Sequence, residues 1–488
     1  MTRDEQCSTR QPPMDDWRCG SIARQSMKHE QGAHNMTNVS VVPIVDTSAS
    51  MTGSGYVAQT VIDTRAFLRL LKPGDKVAVV AYDTNARNVY PNNNSLATVD
   101  QALTVTKNAS DAVGGLSFNG NSTAIGRGLQ QSRNFLDAAG EPRACILLTD
   151  GYQNDGPPPL DVLPGYRVMA CAMGANSDQQ LLKQIASRTG GQFFYAPRAA
   201  DMMKVYNQIR SDTASAALLV NELNDIQQND YRLIPAVVSQ RPGGAQMSAV
   251  WSNTEISYTR GSPSGNQLSV TLVDPSGSTS ALNPTIIGDG FVIYNVDNPA
   301  PGQWYVQLEF AGGGQLINCT GGALQYFSQS LRSAASLELS IDLPTLHSVG
   351  QPLPLNIHLD AGGEILSNVR AHAIVQRPTI SLADALVKYD AQLGSVQPDP
   401  ADLARGVPSA NARLAALRQR LLPEQDILAH QQGVVHLKTA NNLPLTTLID
   451  TPVAGSYNVQ VVVTGEGSLS GPFQRSHLVS VLVNDVRS

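Results

Sequence analysis

From Val39 to Thr213 one unit recurs: a short apolar, β-prone run, then a stretch with helical spacing. The runs are VSVVPIV, KVAVVAY, RACILLT, YRVMACAM and GQFFYA. The helical stretches are YVAQTVIDTRAFLRLL, TAIGRGLQQSRNFLDAA, SDQQLLKQIASRT and ADMMKVYNQIRSD. In the first of these Val57, Val61, Ala66, Leu68 and Leu71 return at roughly helical spacing. Few architectures accept such a pattern. Strands that are apolar on both faces must be covered on both faces, and parallel strands need a long crossover between them. The expectation is a doubly wound, mostly parallel α/β sheet, Rossmann-like, over residues 39–213. The turns LKPGDK and SRTGGQ close helices ahead of strands.

After Ala214 the texture changes. Helical periodicity fades, and short alternating runs stand between Gly, Pro, Ser and Asn clusters: AQMSAVW, EISYTR, QLSVTLVDPSG, GFVIYNV and GQWYVQLEF. This reads as an all-β, immunoglobulin-like sandwich over 215–334. A second sandwich is expected over 335–488, from SLELSIDL, LPLNIHLDAGG and VRAHAIVQ to GSYNVQVVVTG and HLVSVLVN. Between its halves, about 381–430, the sequence is rich in Ala, Leu and Arg. The apolar stripe of SANARLAALRQRLL there predicts a helical insertion.

Composition narrows the function classes. The chain is 42% hydrophobic and 15% charged, with net charge −6. No basic face is in prospect, so an electrostatic nucleic-acid binder is not expected. No segment approaches the roughly 18 apolar residues of a transmembrane span. Residues 1–38 carry charges throughout and lack an apolar core, so they read as a disordered tail and not as a secretory signal. Taken as written, that points to the cytoplasm. Five scattered cysteines without a CxxC pair read as buried or free thiols. The eight histidines show no metal spacing along the chain, and Trp251 and Trp304 read as core. HLDAGGE is taken as a β-turn at Ala361-Gly362-Gly363, and DGYQNDGPPP as an exposed loop. No common catalytic motif is present, so no enzyme is expected.

The chemistry concentrates at two strand ends. VVPIVDTSASMTG runs from a strand into Asp46, and ACILLTD ends at Asp150. In an open parallel sheet, ligands bind beyond the carboxyl ends of the strands where strand order reverses. If these two strands are neighbours, both carboxylates reach one crevice, and Thr123 in FNGNSTAIGRGL stands just before a helix. Extended backbone puts Asp46, Ser48 and Ser50 on one side, with Thr47 and Ala49 facing away. A helix cap would also account for Asp and Ser after a strand. Asp46, Ser48, Ser50, Thr123 and Asp150 otherwise make an all-oxygen set suited to a hard cation: Mg²⁺ first, with Mn²⁺ or Ca²⁺ as alternatives. Pro43 removes a ladder donor from the first strand and predicts a local bulge.

DTSAS, STAIGRGL and LLTDG resemble the three segments of the metal-ion-dependent adhesion site of von Willebrand factor type A (VWA) domains, with LKPGDKVAVVAYDTNA and GGQFFYA resembling later strands of that family. The resemblance implies that Asp46, Ser48, Ser50, Thr123 and Asp150 ligate a divalent ion, some through water. It further implies that the ion is completed by an Asp or Glu carboxylate of a protein partner. Ala49 stands where the family commonly has Gly. The following region, through Asp274-Pro275-Ser276-Gly277 and Pro301-Gly302-Gln303-Trp304, is similar to the β-sandwich of calcium-activated chloride channel regulators and their bacterial relatives. It lacks any His-Glu-x-x-His. These resemblances favour an adhesion-type binding protein, extracellular or at the cell surface. The alternative is an intracellular scaffold that uses the same site to engage an enzyme or ATPase.

Overall fold

The computed structural model describes residues 38–485 apart from 175–176, 215, 241, 313–315, 328–336, 345–346, 399, 405–407, 410–411, 414–429 and 438–444. The expected N-terminal tail and most of the SANARLAALRQRLL stripe lie outside the described residues.

In the α/β region the strands are β1 (Ser40–Asp46), β2 (Lys76–Val77), β3 (Val79–Tyr82), β4 (Ala86–Tyr90), β5 (Ala97–Thr98), β6 (Arg143–Thr149), β7 (Arg167–Met173) and β8 (Phe193–Ala196). The helices are α1 (Ser50–Gly53), α2 (Val57–Arg69), α3 (Thr104–Gly114), α4 (Ile125–Leu136), α5 (Gln179–Arg188) and α6 (Met202–Ala214). The main sheet order is β4-β3-β1-β6-β7-β8. β1 is parallel to β3 and β6, and only β4 and the short β5 run antiparallel to their neighbours. β1 is therefore central, and strand order reverses beside it. All seven of its residues are buried. Val41 and Val45 pack with α2, α3 and α6, while Val42 and Ile44 pack with α4 and α5 on the other face.

Pro43 does not make a bulge. The β1–β6 register runs in step from Ser40↔Arg143 to Val45↔Leu148. What breaks is the opposite ladder: pairing stops at Val41↔Val77 and resumes at Ile44↔Val80. The missing N–H is accommodated by splitting one neighbouring strand into β2 and β3, which costs less than shifting a register fixed by burial on both faces.

The rest of the described chain is mostly β-structure. A four-stranded sheet (231–238, 302–310, 267–273, 257–259) and a five-stranded sheet (286–288, 291–296, 242–251, 317–327, 217–226) share one core in which Trp251 and Trp304 are buried. Farther on, a three-stranded sheet (338–342, 353–360, 445–449) and a five-stranded sheet (347–348, 471–484, 455–467, 366–378, 430–437) share another. Three short helices, Leu382–Lys388, Asp390–Gly394 and Pro400–Ala404, follow the strand Leu366–Pro378. Cys145, Cys171 and Cys319 are buried free thiols, and burial pushes Cys145 and Cys319 up to about 12.

These regions are packed against each other. Arg210 of α6 and Asp75 form an ion pair at 2.8 Å with both side chains almost wholly buried. Asp75 also accepts the backbone N–H of Val39 and Lys72, and Lys72 Nζ lies 3.0 Å above the ring of Tyr326 from the first sandwich. At the other side of the sheet β8 is an edge strand. Its free edge is covered by the C-terminal sheet through side chains: Tyr195 N–H donates to Ser480 Oγ at 3.0 Å, and Tyr195 C=O accepts from Asn458 Nδ2 at 2.9 Å.

Candidate metal centre

β1 and β6 are neighbours, so their ends bring Asp46 and Asp150 to one crevice. Asp46 is fully buried at the last position of β1. Its Oδ1 accepts the Ser48 N–H at 2.9 Å and its Oδ2 accepts the Thr149 hydroxyl at 2.6 Å. Beyond Ser48 the extended alternation ends. Ser48 bridges to Gly120, Ala49 is helical at φ −65°, and Ser50 opens α1. Ser50 therefore reaches Ser48 by a tight turn and not along a strand, and the two hydroxyl oxygens stand 2.9 Å apart. The turn forms because Ala49 N–H donates to Gly120 C=O while Gly120 N–H donates to Thr47 C=O, tying this loop to the one before α4. Thr47 points away, as expected, donating to Tyr82 C=O and to Asp83, which also pairs with Arg87 at 2.7 Å.

Asp150 is 4% exposed and binds two hydroxyls, Ser50 Oγ at 2.9 Å and Ser54 Oγ at 2.5 Å. Thr123 is buried beside it. A Cβ placed on Gly151 would stand 3.2 Å from Thr123 Oγ1 and 3.8 Å from Ser50 Oγ. Thr123 is held there by Asn154, whose Oδ1 accepts the Thr123 N–H at 2.8 Å and whose own N–H donates to Thr123 C=O. The structure thus links Asp46, Ser48, Ser50 and Asp150 and seats Thr123 at their edge.

Three contributors escaped the sequence reading. Ser54 lies one helical turn after Ser50, a spacing that signals a shared face once a helix is assumed there. Thr149 comes immediately before Asp150, yet reaches across to Asp46. Asn154, in a loop whose sequence reads as exposed and at the rim of the site, fixes the Thr123 backbone.

Within the crevice Asp46 is strongly perturbed. Burial, and then the neighbouring Asp150 carboxylate, push it up to about 7, against the opposing pull of Ser48 and Thr149. Two carboxylates held together with little water ask for a positive charge between them. The donors around them are all oxygen, a hard-cation set. Among the described residues no three His, Cys, Asp or Glu side chains cluster. The other side-chain oxygens in the crevice are neutral hydroxyls.

A doubly wound sheet with an oxygen-lined crevice at the carboxyl ends of its two central strands defines a class of ligand-binding α/β domain. Residues 40–208 match the family model of the von Willebrand factor type A domain. Among solved structures it is similar to a von Willebrand factor type A protein from Catenulispora acidiphila (18% identity, 67% of this chain and 63% of that one, TM-score 0.34). It is also similar to proximal thread matrix protein 1 of the mussel byssus, described with a zinc-occupied MIDAS motif (18%, 38% and 50%, 0.31). A third likeness is to the pilus adhesin SpaC of Lactobacillus rhamnosus GG (12%, 89% and 54%, 0.31). The chain thus spans less than two thirds of each of these proteins. No curated protein matches. Among the described residues no helix is long and apolar enough to cross a membrane.

Proposed function

We propose that the crevice binds a divalent cation, Mg²⁺ in the first instance, through Asp46, Ser48, Ser50, Thr123 and Asp150, and that the cation takes up an Asp or Glu carboxylate of a protein partner. One observation carries the reading. Two buried carboxylates from adjacent strand ends face each other with only neutral hydroxyls between, and Asp46 is driven up to about 7. A cation relieves that repulsion; the two carboxylates balance the charge of a divalent ion, and with three neutral hydroxyls a near-octahedral ion keeps a coordination position open for an outside oxygen. The rim supports access: Ala49, Thr52, Gly53 and Asn121 are exposed. Bound there, the ion would supply Lewis-acid attraction for a partner oxygen. The chain's own part is to hold the hydroxyls in place, through Gly120 and Asn154, and to exclude competing water. The β-sandwiches then serve as spacer or secondary contact surface.

The test is a pull-down from a partner-containing extract with wild-type and Asp150→Ala baits, in millimolar Mg²⁺ and in EDTA. The expected result is a captured protein released by EDTA and absent from the variant. Capture by both baits regardless of EDTA would overturn the reading.

A further inference from the structure

The strands Leu366–Pro378 and His430–Leu437 pair antiparallel, and their register sets His372 directly opposite His436. Sequence spacing hides this, because the partners lie on strands joined by a long connection. Directly opposed residues have Cβ atoms about 4.5–5.5 Å apart on one face of the sheet. That face is the outer one: Ala371, Ala373 and Leu437 are turned into the core, His372 is half-buried and His436 is exposed. The two rings stand 6.3 Å apart, centre to centre, inclined at 49°. His430–Leu437 is the edge strand of its sheet, so the pair opens to solvent on that side. The residue facing His372 on its other side is Val462, which carries no charge.

We propose that His372 and His436 form a two-imidazole site for a borderline first-row cation, Zn²⁺, Ni²⁺ or Cu²⁺, with the remaining coordination positions open to water or an outside donor. Imidazole suits these ions and not Mg²⁺ or Ca²⁺, so the site is chemically distinct from the oxygen crevice. Metal–nitrogen bonds of about 2.0–2.1 Å place two ligating rings roughly 5 Å apart between centres in tetrahedral geometry. The observed separation closes to that by about 1 Å of side-chain rotation, which exposed His436 is free to make. The proton balance favours binding as well. Burial and the neighbouring His436 hold His372 below the usual imidazole range, leaving it neutral and able to ligate near pH 7. Arg370, two residues along on the same face, is the charge that opposes a cation there.

The experiment titrates the full chain with Cu²⁺ and with Zn²⁺ at pH 7.5 in excess Mg²⁺. It compares wild type with His436→Ala and His372→Gln by calorimetry and by the nitrogen coupling in the Cu²⁺ resonance spectrum. The other six histidines are common to all three proteins, so the difference reports the pair. The expected result is one site fewer, or at least tenfold weaker binding, in each variant, with loss of the two-imidazole signature. A change smaller than tenfold with an unaltered spectrum overturns the proposal. Because His436 is exposed, its replacement leaves the fold intact, and far-ultraviolet circular dichroism verifies that before titration.

Discussion

Replacing Asp46 by Asn keeps the size of a fully buried side chain and removes its charge. In the metal-free protein the carboxyl is raised from 3.8 to about 7, so the folded state prefers the protonated acid. A group raised on folding gives stability that is fully present below its unfolded value and is lost as pH rises through the folded one. Wild type therefore gives up stability between about pH 4 and pH 8. Roughly three units at about 1.4 kcal/mol each set a ceiling near 4 kcal/mol. Asparagine escapes that loss but must turn the Thr149 hydroxyl, now a donor facing an amide, at a cost of about 1 kcal/mol. The net expectation for Asp46→Asn in EDTA at pH 8 is a gain of about 1–3 kcal/mol that vanishes near pH 5. Amide hydrogen exchange of β1 and β6, with thermal melts at both pH values, measures it, since exchange localises the effect in a chain of several packed regions. Adding Mg²⁺ should reverse the order: at 100 times Kd wild type gains about 2.7 kcal/mol and the variant gains far less. A variant less stable than wild type in EDTA at pH 8, or one equally stabilised at pH 5, would refute the reasoning.

Two further substitutions probe how the site is held. Gly126 lies in the first turn of α4, and a Cβ there would sit 2.0 Å from the Pro157 carbonyl oxygen. Gly126→Ala, which ordinarily stabilises a helix, should instead cost about 1–3 kcal/mol and shrink the Mg²⁺-induced rise in Tm, since Thr123 sits just ahead of the displaced turn. Arg210→Met strands Asp75 as a buried, unpaired carboxylate and should cost about 3–5 kcal/mol in urea unfolding. Pairing it with Asp75→Asn should recover a good part of that. Equal losses in the single and double variants would show that the ion pair is not what joins α6 to the start of the sheet.

What could be read from the sequence was what repeats locally. Buried strands announce themselves because both faces of β1 must be apolar, and Asp46 and Asp150 stood out as carboxylates ending two such runs. Extended alternation, which would set Ser50 on the side of Asp46, ends at Ala49; Ser50 comes beside Ser48 and Asp150 because a backbone exchange with Gly120, far along the chain, bends it back. Ser54 was missed by the same assumption, because its place beside Asp150 follows only from a helical turn. Pro43 predicts a bulge because a missing donor must be accommodated somewhere. Which side of the strand gives way depends on neighbours that sequence does not reveal. The pairing of His372 with His436 is a matter of register, and register belongs to two strands at once.

The covering of β8 has a consequence for how the protein is made. Tyr195 takes its edge partners from Asn458 and Ser480, which follow it by 263 and 285 residues. At about 5–20 residues per second, the ribosome delivers that cover roughly 15–55 s after β8 itself has emerged. For that interval the α/β region stands with one strand unclosed, a template for pairing with any neighbouring nascent chain. A segment made well after β8 is thus the one that seals its edge, and a ribosome that stops short of it releases an α/β domain with an adhesive flank.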